Sequence, residues 1–526
     1  MKLKKFIPIL LIILICICCV NAINAATNED YNLESNQCDN AISLTEDTEV
    51  SSSNSNLLSL SQEETALKAT DNQKISEESG SQTPAPTPLE QFSEDLDSGK
   101  GTVYLNGDIK ITDPFVLRHS VVIDGQGHSI DGQHKTNMFL AKASVTFKNI
   151  VFKNGKAAQG GAVYCYSYNL NFDKCTFIGN TATENGGAIY HSTGTLTVTN
   201  CNFEKNTVSN SKSTGHGGAI WIYKGNSKIS KSTFKSNTCL SKSLKDHKKA
   251  TKYQFGGGAV YYNEGYTHTI TDCIFDGNRA SNHGGAVYAH KPKTVKINKC
   301  TFKNNKVEFE DGGAITFNGG KLVLTNSKFS KNQAYEDGGV MDAFSLTKNK
   351  IHITITNCVF DSNVAYKGAG AIWLGVKTVF TMKNNQFLKN KASIGGALFS
   401  EDGVAKITSC IFKGNKAAKI TSWTVKTKAG GVLKHCGGAM MIQKKNIKIS
   451  KCTFKSNKAT WGGAIFFKAG KITFSGNKLS SNKAKGGSAF YSAKKVKISN
   501  KNKWGSKSTT KKALKVKNLI SKGVTA

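Results

Sequence analysis

The chain has 526 residues, with 71 Lys and Arg against 36 Asp and Glu, a formal net charge of +35, and 50 glycines against six prolines. That length would hold several globular domains, but a repetitive, glycine-rich body spends it along one axis instead. Only Arg118 and Arg279 are arginines, so the excess charge is a field of lysine point charges, and no motif for specific nucleic-acid recognition accompanies it.

Residues 1–25 carry Lys2, Lys4 and Lys5, then an apolar run from Phe6 to Val20, then Ala22 and Ala25. This is the pattern of a signal peptide, and the run is short for a membrane anchor. The expected product is secreted and associated with the cell surface or cell wall, with no transmembrane segment after cleavage. Residues 26–88 read as a disordered Ser/Thr/Glu-rich linker that ends in Thr83-Pro84-Ala85-Pro86-Thr87-Pro88; such a composition buries too little apolar surface to order itself. Residues 26–97 hold 16 of the acids and only Lys68 and Lys74, which leaves 66 Lys and Arg against 20 Asp and Glu from residue 98 onward, about +46. Diffuse attraction to anionic wall polymers follows, although a Lys- and Asn-rich background also arises from genomic base composition.

Residues 89–500 are organised by one repeated sentence. A Phe with Asn three residues on recurs from Phe177/Asn180 to Phe454/Asn457, and small-residue turns such as Gly186-Gly187, Gly284-Gly285 and Gly486-Gly487 answer it, at a period of 25 to 42 residues. Self-similarity of this kind means a stacked array. Within a coil, Leu196 and Val198 share one parity, but Cys201 and Phe203 have the other, so the chain must bend around Asn200. The interval from the second turn residue to the next Phe or Leu is 16 or 17 in ten of eleven coils, the exception being Gly339 to Phe360 at 21. Near-constant rungs with no room for connecting helices predict an all-β, right-handed parallel β-helix of about 12 regular coils, preceded by two or three irregular coils over 89–150. Length variation collects between the Asn and the glycines, where Thr238 to Phe255 and Lys416 to Cys436 form two large Lys-rich loops, either binding elements or tolerated insertions.

Seven cysteines (Cys175, Cys201, Cys273, Cys300, Cys358, Cys410 and Cys452) stand two residues before the repeat Phe, where other coils have Ser232, Ser327 or Asn385. The position wants a small inward side chain, and stacked Cβ vectors suit disulfides poorly, so buried free thiols are expected. No Cys-x-x-Cys with matching His occurs, and no metal or cofactor is assigned. Glu310-Asp311 and Glu336-Asp337 stack before successive glycine turns, as a solvated turn or a weak calcium site. Gly215-His216-Gly217 mimics a galacturonase triplet but is an ordinary glycine turn, without a paired-Asp partner; no catalytic residue is assigned.

After the glycines, an aliphatic residue points inward and its neighbour outward. The outward slot holds Tyr164, Tyr190, Trp221, Tyr261, Tyr288, Thr316, Asp342, Trp373, Phe399, Met441, Phe466 and Phe490. Aromatic residues fill nine of the twelve positions, so the expectation is an exposed stripe on which sugar rings stack. The alternative is a ladder that stabilises neighbouring rungs or lies under folded-back loops. Tyr164, Tyr190, Trp221, Tyr261, Tyr288, Trp373 and Phe399, with Trp423 in the second loop, are the candidate ligand-binding residues.

The Gly-Gly-Ala-Ile and Phe-x-x-Asn repeats resemble the polymorphic membrane protein repeats of chlamydial surface adhesins. Together with Ile123-Asp124-Gly125-Gln126-Gly127-His128 and the Lys/Asn-rich coils, they resemble still more the adhesin-like surface proteins of methanogenic archaea. The resemblance covers about 89–500 and implies a non-enzymatic surface protein that meets cell-surface glycans, wall polymers or other cells. A β-barrel pattern, sorting motif or further Ig-like domain is not found after residue 500, where the chain departs from both groups. Polysaccharide lyases and polygalacturonases share the pectin-lyase-like fold, which keeps a carbohydrate-active enzyme as the second reading, and a passive wall protein held by charge as the third. Residues 501–526 are expected to form a Lys-rich cap or tail over the last coil.

Overall fold

The computed structural model describes residues 85–504, except 213, 245–253, 421–424, 427–431, 434, 444–445, 469–471 and 493–501, together with 514–516. The expected signal peptide, most of the linker, Trp423 and about half of each large loop lie outside the described residues.

One coil shows the construction. After the turn at Gly284-Gly285, strands run at Val287–Ala289, Thr294–Asn298, Thr301–Lys303 and Lys306–Val307. The first two belong to a 27-stranded sheet, the third to a 15-stranded sheet and the fourth to a 12-stranded sheet. These three faces give the roughly triangular rung that the alternating parities require. Among the described residues the pairings between successive coils are parallel and, apart from a register shift between Ala182 and Asn185, in register, for example Phe275↔Phe302↔Phe329. The body is thus the right-handed parallel β-helix expected.

The corner is where the parity change predicts it. Asn200 has φ 54°, and the equivalent corner residues Lys231, Asp272, Lys299, Asn326 and Asn357 are likewise left-handed. This region disfavours a Cβ, least so for Asn and Asp, and it turns the chain within a single residue. At the other corner Gly284 has φ 57°, and a Cβ on Gly285 would lie 2.2 Å from the Gly313 carbonyl oxygen. The first residue of the pair is needed for its backbone conformation and the second for close approach to the next coil.

Inside, the repeat Phe side chains form a column. Phe177, Phe203, Phe234, Phe275 and Phe302 stack face to face with centroids 4.5–4.8 Å apart, and all are fully buried. The described cysteines are buried, and no disulfide joins any two of them. The Asn three residues after each Phe also points inward. From Asn180 to Asn482 each side chain passes a hydrogen bond to the next coil, as in Asn206 Nδ2 to Asn237 Oδ1 at 2.9 Å, while Nδ2 also donates to the Phe177 carbonyl oxygen at 2.9 Å. Full burial of an amide is tolerable only when its donors and acceptors are met.

The ends differ from expectation. The linker boundary at 88 falls inside a structured element, because Pro88–Asp97 is an α-helix whose Phe92 and Leu96 are buried over the first coils. Thr87 caps it and Glu90 completes a capping box with Pro at the first turn, a signature legible in Thr87-Pro88-Leu89-Glu90 but hidden by the Pro-rich run before it. At the other end the solenoid continues past residue 500: Lys503–Trp504 pairs with Lys478 and Leu479, and Leu514–Val516 pairs with Phe490–Ser492. The last glycine turn is also shifted by one residue. Gly487, not Gly486, takes the positive φ, so Phe490 pairs with Ile465 and faces inward, and Tyr491 takes the outward slot.

Candidate ligand site on the outer face

The outward slot forms one continuous column in register: Tyr164↔Tyr190↔Trp221↔Tyr261↔Tyr288↔Thr316↔Asp342↔Trp373↔Phe399↔Met441↔Phe466↔Tyr491. The inward neighbours Ile189, Ile220, Val260 and Val287 are fully buried in the coil core. The column packs as separate clusters outside that core, so the assignment of sides holds. Tyr164 stacks on Tyr190 at 4.7 Å and Trp373 on Phe399 at 3.9 Å, whereas Tyr261 meets Tyr288 edge to face at 5.0 Å.

The expectation of an exposed stripe needs correction. Tyr190, Trp221, Tyr261 and Tyr288 are only 6–8% exposed and Phe399 is 2% exposed; Tyr164 and Trp373 keep partial exposure. The cover is the residue just before each glycine turn. His216 lies 4.3 Å from the Tyr261 ring and His283 5.2 Å from the Tyr288 ring. Where this position is glycine the ring occupies the space directly: a Cβ on Gly256 would meet Tyr288 Cδ1 at 2.2 Å, and one on Gly368 would meet Trp373 Cζ3 at 2.3 Å. Parity distinguishes inside from outside the coil, but not whether the glycine turn folds back over the outward side.

The column changes character at Thr316 and Asp342. Thr316 is buried, with Oγ1 donating to the Asp311 carbonyl oxygen at 3.0 Å and accepting from the Gly284 N–H at 2.9 Å. Asp342 is 3% exposed. Beside them the residues before the glycine turns are Asp311 and Asp337, so the acidic stack is joined to the column rather than solvated. The Asp337 N–H donates to Asp311 Oδ1 at 2.9 Å, Lys367 Nζ lies 2.7 Å from Glu336 Oε2 and 3.9 Å from Asp337 Oδ2, and His283 Nε2 lies 3.2 Å from Glu310 Oε2. Burial, with repulsion from Asp311, pushes Glu310 up to about 7, and burial pushes Asp311 up to about 7. Asp337 and Asp342 are held well above the usual carboxylate range by burial and by Asp311. Burial works against the Lys367 charge, but Asp337 and Glu336 outweigh it and hold the ammonium above its ordinary value. The neighbouring imidazoles are neutral: burial pushes His216 down to about 3, and His283 and His290 to about 4.

The sequence had shown Glu310-Asp311 and Glu336-Asp337 as a stack, but not their meeting with Asp342 and Lys367. The interruption of an aromatic slot by Asp342 was the signal for that meeting. His216 of the Gly215-His216-Gly217 triplet is a packing residue, with its Nδ1 3.0 Å from Asn185 Oδ1. Chemically, this outer face offers the partly exposed rings of Tyr164 and Trp373, a set of carboxyl oxygens and, among the described residues, the Lys367 ammonium, suited to a polyol or a cation.

A family model described as right handed beta helix region matches residues 115–284 and 248–430. A Chlamydia polymorphic membrane protein repeat matches residues 451–468. None of the curated proteins compared with the chain matches it. Among solved structures, an alginate lyase, AlyF-OU02, in complex with G6 is similar at 12% identity and a TM-score of 0.31, over 81% of this chain and 84% of that one. Among the described residues no helix is long and apolar enough to cross a membrane.

Proposed function

From the premise that the chain belongs to the right-handed β-helix family, which matches more than half of it and is joined by a polymorphic membrane protein repeat, we propose an exported, surface- or wall-associated, adhesin-like protein of the kind found on methanogenic archaea. Residues 1–25 serve as its signal peptide and 26–88 largely as a spacer. It works without catalysis and takes cell-surface saccharides on its outer face. The observation that carries this reading is the column at Asp342 and Trp373, register partners on adjacent rungs. There a partly exposed indole, backed by Phe399, stands on the rung next to the buried carboxyl group of Asp342, the pairing of apolar face and fixed polar group that sugar sites use. The test is a glycan array followed by titration of the best hit, read by tryptophan fluorescence. Trp373→Ala and Asp342→Asn should each weaken binding at least tenfold. If the parent chain binds no saccharide, or both variants bind as it does, the reading fails.

A second reading, a polysaccharide-degrading enzyme, is favoured by one observation. Glu310 and Asp311 titrate near neutrality beside Lys367, where a carboxyl group can be a proton donor at working pH. Release of new reducing or unsaturated ends from acidic polysaccharides, lost in Asp311→Asn, would establish it over the first.

A further inference from the structure

Among the described residues one set of side chains is assembled as a metal site would be: Asp311, Glu336 and Asp337 each offer a carboxylate oxygen within 4.8 Å of the others. The three come from two adjacent coils and sit where the aromatic column is interrupted. A cluster of acids is common without an ion, so the local charge and the state of the individual oxygens decide. Five carboxylates act on one another here (Glu310, Asp311, Glu336, Asp337 and Asp342), and Lys367 is the cation among the described residues that acts on them. Gathering carboxyl groups in a buried place disfavours their ionised forms unless a cation compensates them. A second observation is independent of that count. Asp337 is 7% exposed, and its Oδ1 is buried without a hydrogen-bond partner. An acceptor oxygen left that way is rare unless something occupies the space in front of it.

We propose that Asp311, Glu336 and Asp337 form a calcium site, with Lys367 as the counter-ion that calcium displaces from Asp337. The donors are oxygens alone, which selects a hard cation. A set of three protein carboxylates also suits calcium, which accepts flexible oxygen geometry, better than Mg²⁺, which keeps several waters and is held through one or two carboxylates. Lys367 holds Glu336 at 2.7 Å but Asp337 only at 3.9 Å, so its hold is weakest at the oxygens calcium needs most. Asp342, on the rung of Asp337 and 3% exposed, adds a further carboxyl group that interacts with Asp311 and Asp337. Bound calcium would fix the outer face next to Trp373, but the site is defined without any saccharide.

The test uses the full chain freed of metal by a chelator, with calcium chloride alone as the probe and magnesium chloride at matched ionic strength as control. Calorimetry should show one calcium bound per chain, within the roughly 0.1–1 mM range of extracellular modules, and calcium should raise the melting temperature where magnesium does not. Asp337→Asn should weaken binding at least tenfold and Lys367→Met should tighten it, because the competing ammonium is gone. Should Asp337→Asn fail to fold, Glu336→Gln, on a partly exposed side chain, serves instead and should also weaken binding. The proposal is overturned if calcium up to about 10 mM gives neither heat nor a melting shift, if magnesium does as well as calcium, or if the carboxamide variants bind as the parent does. Saccharide binding is absent from this assay, so its failure and that of the proposed function are separable.

Discussion

Asn305 donates its side-chain amide to Asn332 Oδ1 at 2.9 Å, while its own Oδ1 accepts from the Asn278 amide at 3.0 Å. Both residues are fully buried, and the contact is one link in a ladder running the length of the regular coils.

Asn305→Ala should therefore destabilise by about 3–5 kcal/mol, since it strands the Phe275 carbonyl oxygen and the Asn278 donors, at about 1–3 kcal/mol for each unmet group. Asn305→Asp should be worse, because it removes the donor and buries a charge. Urea unfolding monitored by circular dichroism reads the difference; a change under 1 kcal/mol in both would show the ladder to be incidental.

Phe302 stacks on Phe275 at 4.5 Å and Phe329 at 5.0 Å. Phe302→Ala should cost about 3–5 kcal/mol through lost burial and the cavity left in the column. By contrast, shortening the chain within 245–253 should change the unfolding midpoint little, because closing a loop depends weakly on its length. The reverse ranking would mean that the loop, not the column, holds the coils together.

Replacing Trp221 and Tyr261 by Ser should lower stability by about 2–3 kcal/mol per ring, given their near-complete burial outside the coil. This differs from what an exposed stripe predicts, which is unchanged melting. Ile220→Ser with Val260→Ser should be more damaging still, for it puts unpartnered hydroxyls in the coil core. Thermal melts of the two double variants side by side decide the matter.

His268 stacks on Tyr262 at 3.9 Å inside the coil, its Nδ1 3.1 Å from Ser227 Oγ and its Nε2 without a partner. Burial pushes it down to about 3 from an ordinary 6.5. Between those values the unfolded chain takes a proton that the folded chain refuses, so stability is lost as pH falls below 6.5, by about 2 kcal/mol at pH 5 from this group. His268→Gln should flatten that part of the stability profile relative to the parent, in which other buried histidines keep their share. An unchanged slope would mean that the imidazole takes its proton in place.

Lys391, Lys416, Lys458 and Lys483 stand on successive rungs of one face, and the last three are exposed. Retention on an anionic wall polymer should weaken steeply from low to about 1 M salt, where screening acts within about 3 Å. Lys416→Gln with Lys458→Gln and Lys483→Gln should elute at lower salt than the parent. Retention indifferent to salt would rule out charge as the tether.

The coil, its Phe column, its inward aliphatic slot and the bend at Asn200 were legible in the sequence, because each follows from a strict local rule repeated many times: side-chain alternation, the size of a stacked neighbour, and the need for small or left-handed residues at a corner. The Asn of each repeat was visible but its ladder was not, since hydrogen bonds between residues 25 to 42 apart exist only once the rungs are in register. The same limit hid the cover over the outer column. Alternation put Trp221 and Asp342 outside the coil, but only the path of the glycine turn decided that His216 and Asp337 would fold back beside that column, burying the rings and drawing carboxylates from neighbouring coils onto one ammonium. Inside or outside is a property of one strand, whereas cover and charge at a point are properties of the coils stacked around it.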